Sequence, residues 1–145
     1  MRFSTRWQSK WRRANTRLLV SQSLIQQDLV NTPRGRVTFQ SGHPQQLEYS
    51  AALLTRETDT ISWIESFDTP CVFWDIGANI GAYSIYAALD TEVTVYSFEP
   101  ASATYAALCE NIRINNMDSR VSAFCIALSD ITKAGSLNMA HTNAA

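Results

Sequence analysis

The sequence predicts an α/β domain with a doubly wound parallel sheet, and three short apolar runs lead to that prediction. Residues 71–74 form one run, which is predicted to be a short buried strand and ends at Asp75 and a glycine loop. Residues 92–99 are β-branched and aromatic, and residues 120–128 form a third run. Segments of helical spacing separate the runs, which is typical of parallel strands joined by right-handed crossovers. The order strand–helix–strand–helix–strand indicates a Rossmann-like sheet.

Length and composition favour a single packed domain. The chain has 145 residues, of which 46% are hydrophobic. Its formal net charge is −1, but the first 27 residues contain six of the twelve basic residues and none of the thirteen acidic ones. No apolar run approaches the ~18–20 residues of a membrane span, and no secretory leader is visible. We therefore expect a cytoplasmic protein.

The cysteines agree with that location. Cys71, Cys109 and Cys125 are odd in number and lie in apolar contexts. We expect them to be reduced core residues rather than a disulfide set or a metal site. The sequence therefore predicts no bound metal.

Residues 1–32 are predicted to form a basic amphipathic N-terminal helix. Trp7, Trp11 and Leu18 recur at roughly helical spacing, with arginine and glutamine between them. The favoured interpretation is a helix that packs on the domain with its arginines in solvent. One alternative is a mitochondrial transit peptide. Another is contact of residues 1–30 with a membrane or partner, which would make the chain a non-catalytic docking module. No nucleic-acid partner is expected, because the remaining residues are acidic overall.

Residues 33–145 are predicted to form the domain itself. A turn at residues 31–35 precedes a strand over residues 36–40. Residues 47–54 fit a strand or a helix equally well. A short helix capped by residues 58–60 then leads into the first apolar run of the sheet.

The loop Asp75-x-Gly77-x-Asn79-x-Gly81 is the predicted ligand site. Gly77 and Gly81 permit backbone angles that a Cβ opposes, and they allow close approach of a ligand. The loop is looser than the G-x-G-x-x-G of dinucleotide sites, which disfavours a nicotinamide or flavin oxidoreductase. A zwitterionic amino-acid moiety, as in S-adenosylmethionine, suits it better. Asp75 would attract the ammonium, and main-chain N–H groups at the helix start near Gly81 would attract the carboxylate.

Glu99 ends the second predicted strand, 24 residues after Asp75. An acid at that strand tip lies beside the first glycine loop, where it can accept two hydrogen bonds from a ribose diol. The alternative is a glutamate in solvent at a strand end. A helix capped by Ser102 and ended by Asn115 and Asn116 follows. Residues 136–139 are expected to begin a further strand.

Four motifs carry a resemblance to a known family. They are residues 73–84, Phe98-Glu99-Pro100, Asn111-Ile112-x-x-Asn115 and Ala127-Leu128-Ser129-Asp130. Together, over about residues 55–137, the chain resembles the FkbM-type methyltransferases, which are class I S-adenosylmethionine-dependent enzymes and mostly O-methyltransferases. The resemblance implies that the cofactor is lined by Asp75, Gly77, Asn79, Gly81 and Glu99, with Ala127 and Leu128 near the adenine.

The family fold has a seven-stranded sheet, and the resemblance implies that this chain supplies its first three strands. The acceptor pocket and any catalytic base would come mostly from the remainder, so no catalytic residue is assigned. We expect the cofactor half of an enzyme that methylates a hydroxyl on a small molecule or glycan, a half that can be inactive alone. The oligomeric state is not indicated. An unpaired edge beside the central strand predicts poor solubility.

Overall fold

A computed structural model describes residues 26–41, 48 and 50–137, and the structural statements below refer to these. They contain five strands and four helices. In chain order the elements are β1 (Gln26–Thr32), β2 (Gly35–Ser41), α1 (Leu53–Arg56), α2 (Thr58–Glu65), β3 (Cys71–Ile76), α3 (Ala82–Ala87), β4 (Val93–Phe98), α4 (Ser102–Ile114) and β5 (Val121–Phe124).

Strands β3, β4 and β5 form a parallel sheet with β4 in the middle. Asp75 pairs with Ser97 and Phe98 pairs with Phe124, so the carboxyl ends of the three strands meet at one edge. Helix α3 connects the first two strands, and α4 connects the last two. The predicted α/β fold is confirmed as part of a Rossmann-like sheet.

The core lies between one face of this sheet and helices α3 and α4. Phe73 and Val95 are buried on the strands, and Ile85, Tyr86 and Leu108 are buried on the helices. Burial of these large apolar side chains is the main stabilising contribution to the domain.

The opposite face of the sheet is uncovered within the described residues. Val72, Trp74 and Ile76 are 58%, 57% and 64% exposed. Successive strand residues point to opposite faces, and the helices pack on one face only. The expectation of a fully buried first strand is therefore wrong. On the uncovered face Trp74 contacts Phe98, which in turn stacks on Phe124 with ring centroids 5.3 Å apart.

Strands β1 and β2 form an antiparallel hairpin that pairs along its whole length. The strand predicted over residues 36–40 is confirmed. The helix predicted over residues 1–32 is wrong for Gln26–Thr32, and residues 1–25 lie outside the described part. In Gln26–Thr32 a complete ladder of main-chain bonds to β2 outweighs the local preference that side-chain spacing expresses.

The hairpin packs on the helical layer. Val37 and Phe39 of β2 are buried against the core. At the hairpin turn, Arg34 Nη2 donates to the carbonyl of Ile64 at 3.3 Å, and the guanidinium lies 5.6 Å from the Tyr86 ring centroid. Arg34 therefore links the hairpin turn to α2 and to α3.

The third strand of the sheet is shorter than predicted. It ends at Phe124, because its partner β4 ends at Phe98 and offers no further ladder positions. Residues 125–137 have no regular structure, so the strand expected from Ser136 is absent at residues 136–137, and the rest of it lies outside the described residues. Cys125 is exposed rather than in the core.

Two predicted helix caps are also wrong. Helix α2 is capped by Glu57, not by residues 58–60, and α4 is capped by Ala101, not by Ser102. Neither cap residue makes a side-chain cap bond. The ambiguous stretch at residues 47–54 ends in helix, since α1 begins at Leu53. Within the described ranges, no helix has the length and apolarity needed to cross a membrane.

Candidate functional site

The loop between β3 and α3 lies at the carboxyl edge of the sheet, where the two predicted carboxylates meet. Asp75 is the next-to-last residue of β3, and Glu99 directly follows β4. Both residues are 8% exposed. Parallel pairing of β3 with β4 therefore brings together two acids that are far apart in the sequence.

The loop main chain is held from the β4 side. The N–H groups of Gly77 and Ala78 both donate to the carbonyl of Phe98, at 2.9 and 3.0 Å. The N–H of Asn79 donates to Glu99 Oε2 at 2.9 Å. Gly77, Asn79 and Gly81 have φ values of 84°, 51° and 88°. Three left-handed residues in five let the loop fold tightly enough to make these bonds.

The two glycines have different surroundings. A Cβ added to Gly77 would meet nothing within 4 Å, whereas one added to Gly81 would lie 2.4 Å from Leu108 Cδ1. Open space above Gly77 leaves room for a ligand against the main chain. Gly81 instead allows α3 and α4 to pack closely. Its N–H donates to the carbonyl of Ala78 at 2.7 Å, so a carboxylate at the helix start would have to bind other main-chain N–H groups near Gly81.

Three internal donors surround the Glu99 carboxylate. Oε1 accepts from the Ala101 N–H at 2.8 Å and from Thr104 Oγ1 at 3.0 Å, and Oε2 accepts from Asn79. A carboxylate has about four acceptor positions, so roughly one is left, on Oε2. Glu99 can therefore accept about one further hydrogen bond, whereas the sequence predicted two from a ribose diol.

Asp75 is held in a chain of buried hydroxyl groups. Ser84 Oγ donates to Asp75 Oδ2 at 2.5 Å, and the oxygens of Ser84 and Ser97 are 2.7 Å apart. Because the Ser84 proton goes to Asp75, Ser97 is the donor in the second bond. Both serines are fully buried. The sequence did not indicate a role for these two serines. The feature that could have identified them is a small polar residue at a buried position of a strand or helix.

Burial dominates the electrostatics of Asp75. It raises the pKa of the carboxyl, and the negative charge of Glu99 raises it further, while hydrogen bonds from Ser84 lower it. Within the part of the chain that the structure describes, no cation forms an ion pair with the Asp75 carboxyl. A ligand ammonium placed beside Asp75 would supply the missing charge.

Asn79 contributes a further unused acceptor. Its Oδ1 is buried and has no hydrogen-bond partner among the residues that the structure describes. An unpaired buried acceptor costs free energy, so a ligand N–H or O–H at this position would be stabilising. The loop therefore offers carboxylate and amide oxygens to a ligand that carries hydrogen-bond donors and positive charge.

Ala127 and Leu128 lie in the irregular segment after β5. They line an open groove of about 670 Å³ that also includes Pro100, the residue after Glu99. The structure thus places the predicted adenine-contacting residues on the Glu99 side of the sheet edge. Leu128 is 41% exposed, which leaves an apolar surface that a flat ring could cover.

Tyr83, in the first turn of α3, is a phenol on which the charge of Asp75 acts. Burial, followed by the charge and hydrogen bond of Glu57, raises its pKa to about 12. The phenol stays protonated at neutral pH and does not serve as a general base there. Within the described ranges, no group of three or more His, Cys, Asp or Glu side chains could hold a metal ion.

Comparison with known proteins gives structural matches only. No family model matches the chain, and no curated protein matches it. A Pyrococcus horikoshii protein assigned as a transferase is 18% identical, with a TM-score of 0.50 over 72% of this chain and 37% of its own. TYW2 of P. horikoshii, solved in complex with MeSAdo, is 19% identical, with a TM-score of 0.51 over 75% of this chain and 38% of its own.

The described residues form part of a Rossmann-like α/β fold. An S-adenosyl-L-methionine-dependent methyltransferase from Methanococcus maripaludis also matches, at 22% identity and a TM-score of 0.48 over 61% of this chain and 41% of its own. The chain spans 37% and 38% of the lengths of the two P. horikoshii proteins. The likeness to the two P. horikoshii proteins, with TM-scores of 0.50 and 0.51, establishes the shared fold.

Proposed function

We propose that this chain carries the S-adenosylmethionine-binding part of a methyltransferase. The observation that carries the proposal is the open space at Gly77, in a loop that directly follows the buried Asp75 and that the buried Glu99 binds through the Asn79 N–H. The match to TYW2, which was solved with MeSAdo, supports it through the shared fold.

Each part of the site has a role in this proposal. Asp75 binds the ammonium, because it is a buried acid with no cation beside it among the described residues. The free position on Glu99 Oε2 accepts a ribose hydroxyl. Asn79 Oδ1 accepts a hydrogen bond from a further N–H or O–H of the ligand. Ala127 and Leu128 cover the adenine from the groove beyond β5.

The finer proposal is an FkbM-type O-methyltransferase that acts in the cytoplasm on a hydroxyl of a small molecule or glycan. Its support is the four ordered motifs in the sequence. When bound, S-adenosylmethionine supplies an electrophilic methyl group. The described residues would hold the cofactor in position, which is a proximity contribution; as the S–CH3 bond breaks and leaves its electron pair on sulfur, the hydroxyl proton of the acceptor would pass to a base or to water. Tyr83 does not take that proton at neutral pH.

Calorimetric titration of the full chain with S-adenosylmethionine and with its demethylated product tests the proposal. We expect Asp75→Asn and Glu99→Gln each to weaken binding by about tenfold or more, since each removes a charge-assisted bond. Glu110→Gln is the matched control, because Glu110 is bonded to Arg113 on the outer surface of α4. Wild-type chain that is folded by circular dichroism and binds neither compound would overturn the proposal.

A further inference from the structure

Two asparagines on α4 join this helix to the hairpin in an unusual way. Asn111 and Asn115 are one helical turn apart, and their side-chain amides bond to the main chain of β2. An amide side chain carries both a donor and an acceptor, so it can satisfy a strand edge as a neighbouring strand would. The two residues therefore act as partners for the edge of β2 that faces away from β1.

The two amides differ in what else they contact. Asn115 accepts from the Thr38 N–H at 2.9 Å and donates to the Thr38 carbonyl at 2.7 Å. Both of its hydrogen bonds to β2 are therefore made with Thr38. Asn111 accepts from the Gln40 N–H at 2.7 Å, but its Nδ2 donates to the carbonyl of Ile80 at 2.9 Å. Asn111 thus touches the hairpin with one atom and the glycine loop with the other.

We infer that Asn111 is a positioning residue for the ligand loop and couples the β1–β2 hairpin to it. The inference rests on the proposed function for the identity of the ligand. The loop is fixed on its β4 side by Phe98 and Glu99, and the Asn111 bond fixes the carbonyl of Ile80. Asn111 and Ile80 are 0% and 1% exposed, so water does not replace the bond when it is lost.

This coupling predicts how affinity responds to loss of the bond. A ligand binds only the fraction of molecules in which the loop has its binding conformation, and the apparent dissociation constant rises as that fraction falls. Loosening the Ile80 anchor lowers the fraction without removing any group that touches the ligand. The effect therefore reaches the site through the loop alone.

Asn111→Asp and Asn115→Asp form a charge-matched pair for the test. Each aspartate still accepts the strand N–H, and each loses the donor. In Asn111→Asp the lost donor served the loop, whereas in Asn115→Asp it served only Thr38 and α4 itself. We expect Asn111→Asp to raise the dissociation constant for the demethylated product about fivefold or more, and Asn115→Asp to leave it within about twofold.

Hydrogen exchange supplies a readout that needs no ligand. In the ligand-free chain, Asn111→Asp should speed exchange of the Asn79 and Gly81 amides, and Asn115→Asp should not. Equal effects of the two variants on affinity and on exchange would overturn the inference. If the wild type shows no binding but the exchange difference appears, the coupling stands and the proposed function fails. The neutral pair Asn111→Ser and Asn115→Ser repeats the comparison if an aspartate prevents folding.

Discussion

Gly81→Ala should be among the most destabilising single-methyl additions available in this chain. The φ of 88° at Gly81 disfavours any residue with a Cβ, by roughly 1–2 kcal/mol. The added methyl would also lie 2.4 Å from Leu108 Cδ1. Leu108 is 0% exposed, so its side chain can move only against other packed groups, at about 1–3 kcal/mol. The two effects together amount to about 2–5 kcal/mol.

Gly77→Ala is the control for this substitution. Its φ of 84° carries the same backbone cost, but an added methyl meets nothing within 4 Å. We therefore expect a loss of only about 1–2 kcal/mol, close to the backbone cost alone. Urea unfolding followed by tryptophan fluorescence gives both free energies, provided the slope with denaturant is unchanged. Equal losses for the two alanines would refute the packing argument.

A double-mutant cycle isolates the clash itself. Leu108→Ala alone should cost about 2–5 kcal/mol, because it removes a fully buried side chain. In that background the methyl at residue 81 has room, so Gly81→Ala should cost only the backbone share. The expected coupling is about 1–3 kcal/mol in favour of the double variant. Additive losses would show that Leu108 is not the group that the methyl meets.

Three further predictions concern other parts of the domain. Burial raises the folded-state pKa of Asp75, so ionisation of this carboxyl should destabilise the fold as pH rises through that pKa. Asp75→Asn should therefore be more stable than wild type at neutral pH but not at strongly acidic pH. Urea midpoints that show the reverse would contradict this prediction. Tyr86→Phe should lose about 1 kcal/mol, since Tyr86 donates to Glu65 Oε1 at 2.6 Å, and an unchanged midpoint would argue against that bond. Trp74→Thr should reduce concentration-dependent light scattering while preserving the urea midpoint, and a wild-type chain that stays monodisperse would count against the uncovered face as its cause.

The parts of the fold that were predictable are those with a local cause. Strands β3 and β4 are bounded by turn residues and are rich in β-branched and aromatic side chains, so their positions follow from the sequence. Gln26–Thr32 has no such signal. It forms a strand because it pairs with β2, and its own residues do not indicate that pairing. The premature end of β5 likewise depends on where β4 ends.

The site residues likewise divide into those that the local sequence indicates and those whose role depends on tertiary packing. Asp75, Glu99 and the glycines were predicted because spacing along parallel strands fixes where strand tips meet. The sequence did not indicate that Glu99 would have three internal donors, because Thr104 reaches it only once α4 is in place. Ser84 and Ser97 are isolated polar residues in apolar segments. They gain a role only when packing brings both beside Asp75.

The glycine loop is bonded through most of its main chain before any ligand arrives. Four of the five N–H groups from Gly77 to Gly81 donate to Phe98, Glu99 or the loop itself. The conformational entropy of the loop is therefore lost when the domain folds, not when a ligand binds. Changes that loosen the loop from a distance should act on the population that can accept a ligand, and so should appear as slower association with little change in the rate of release.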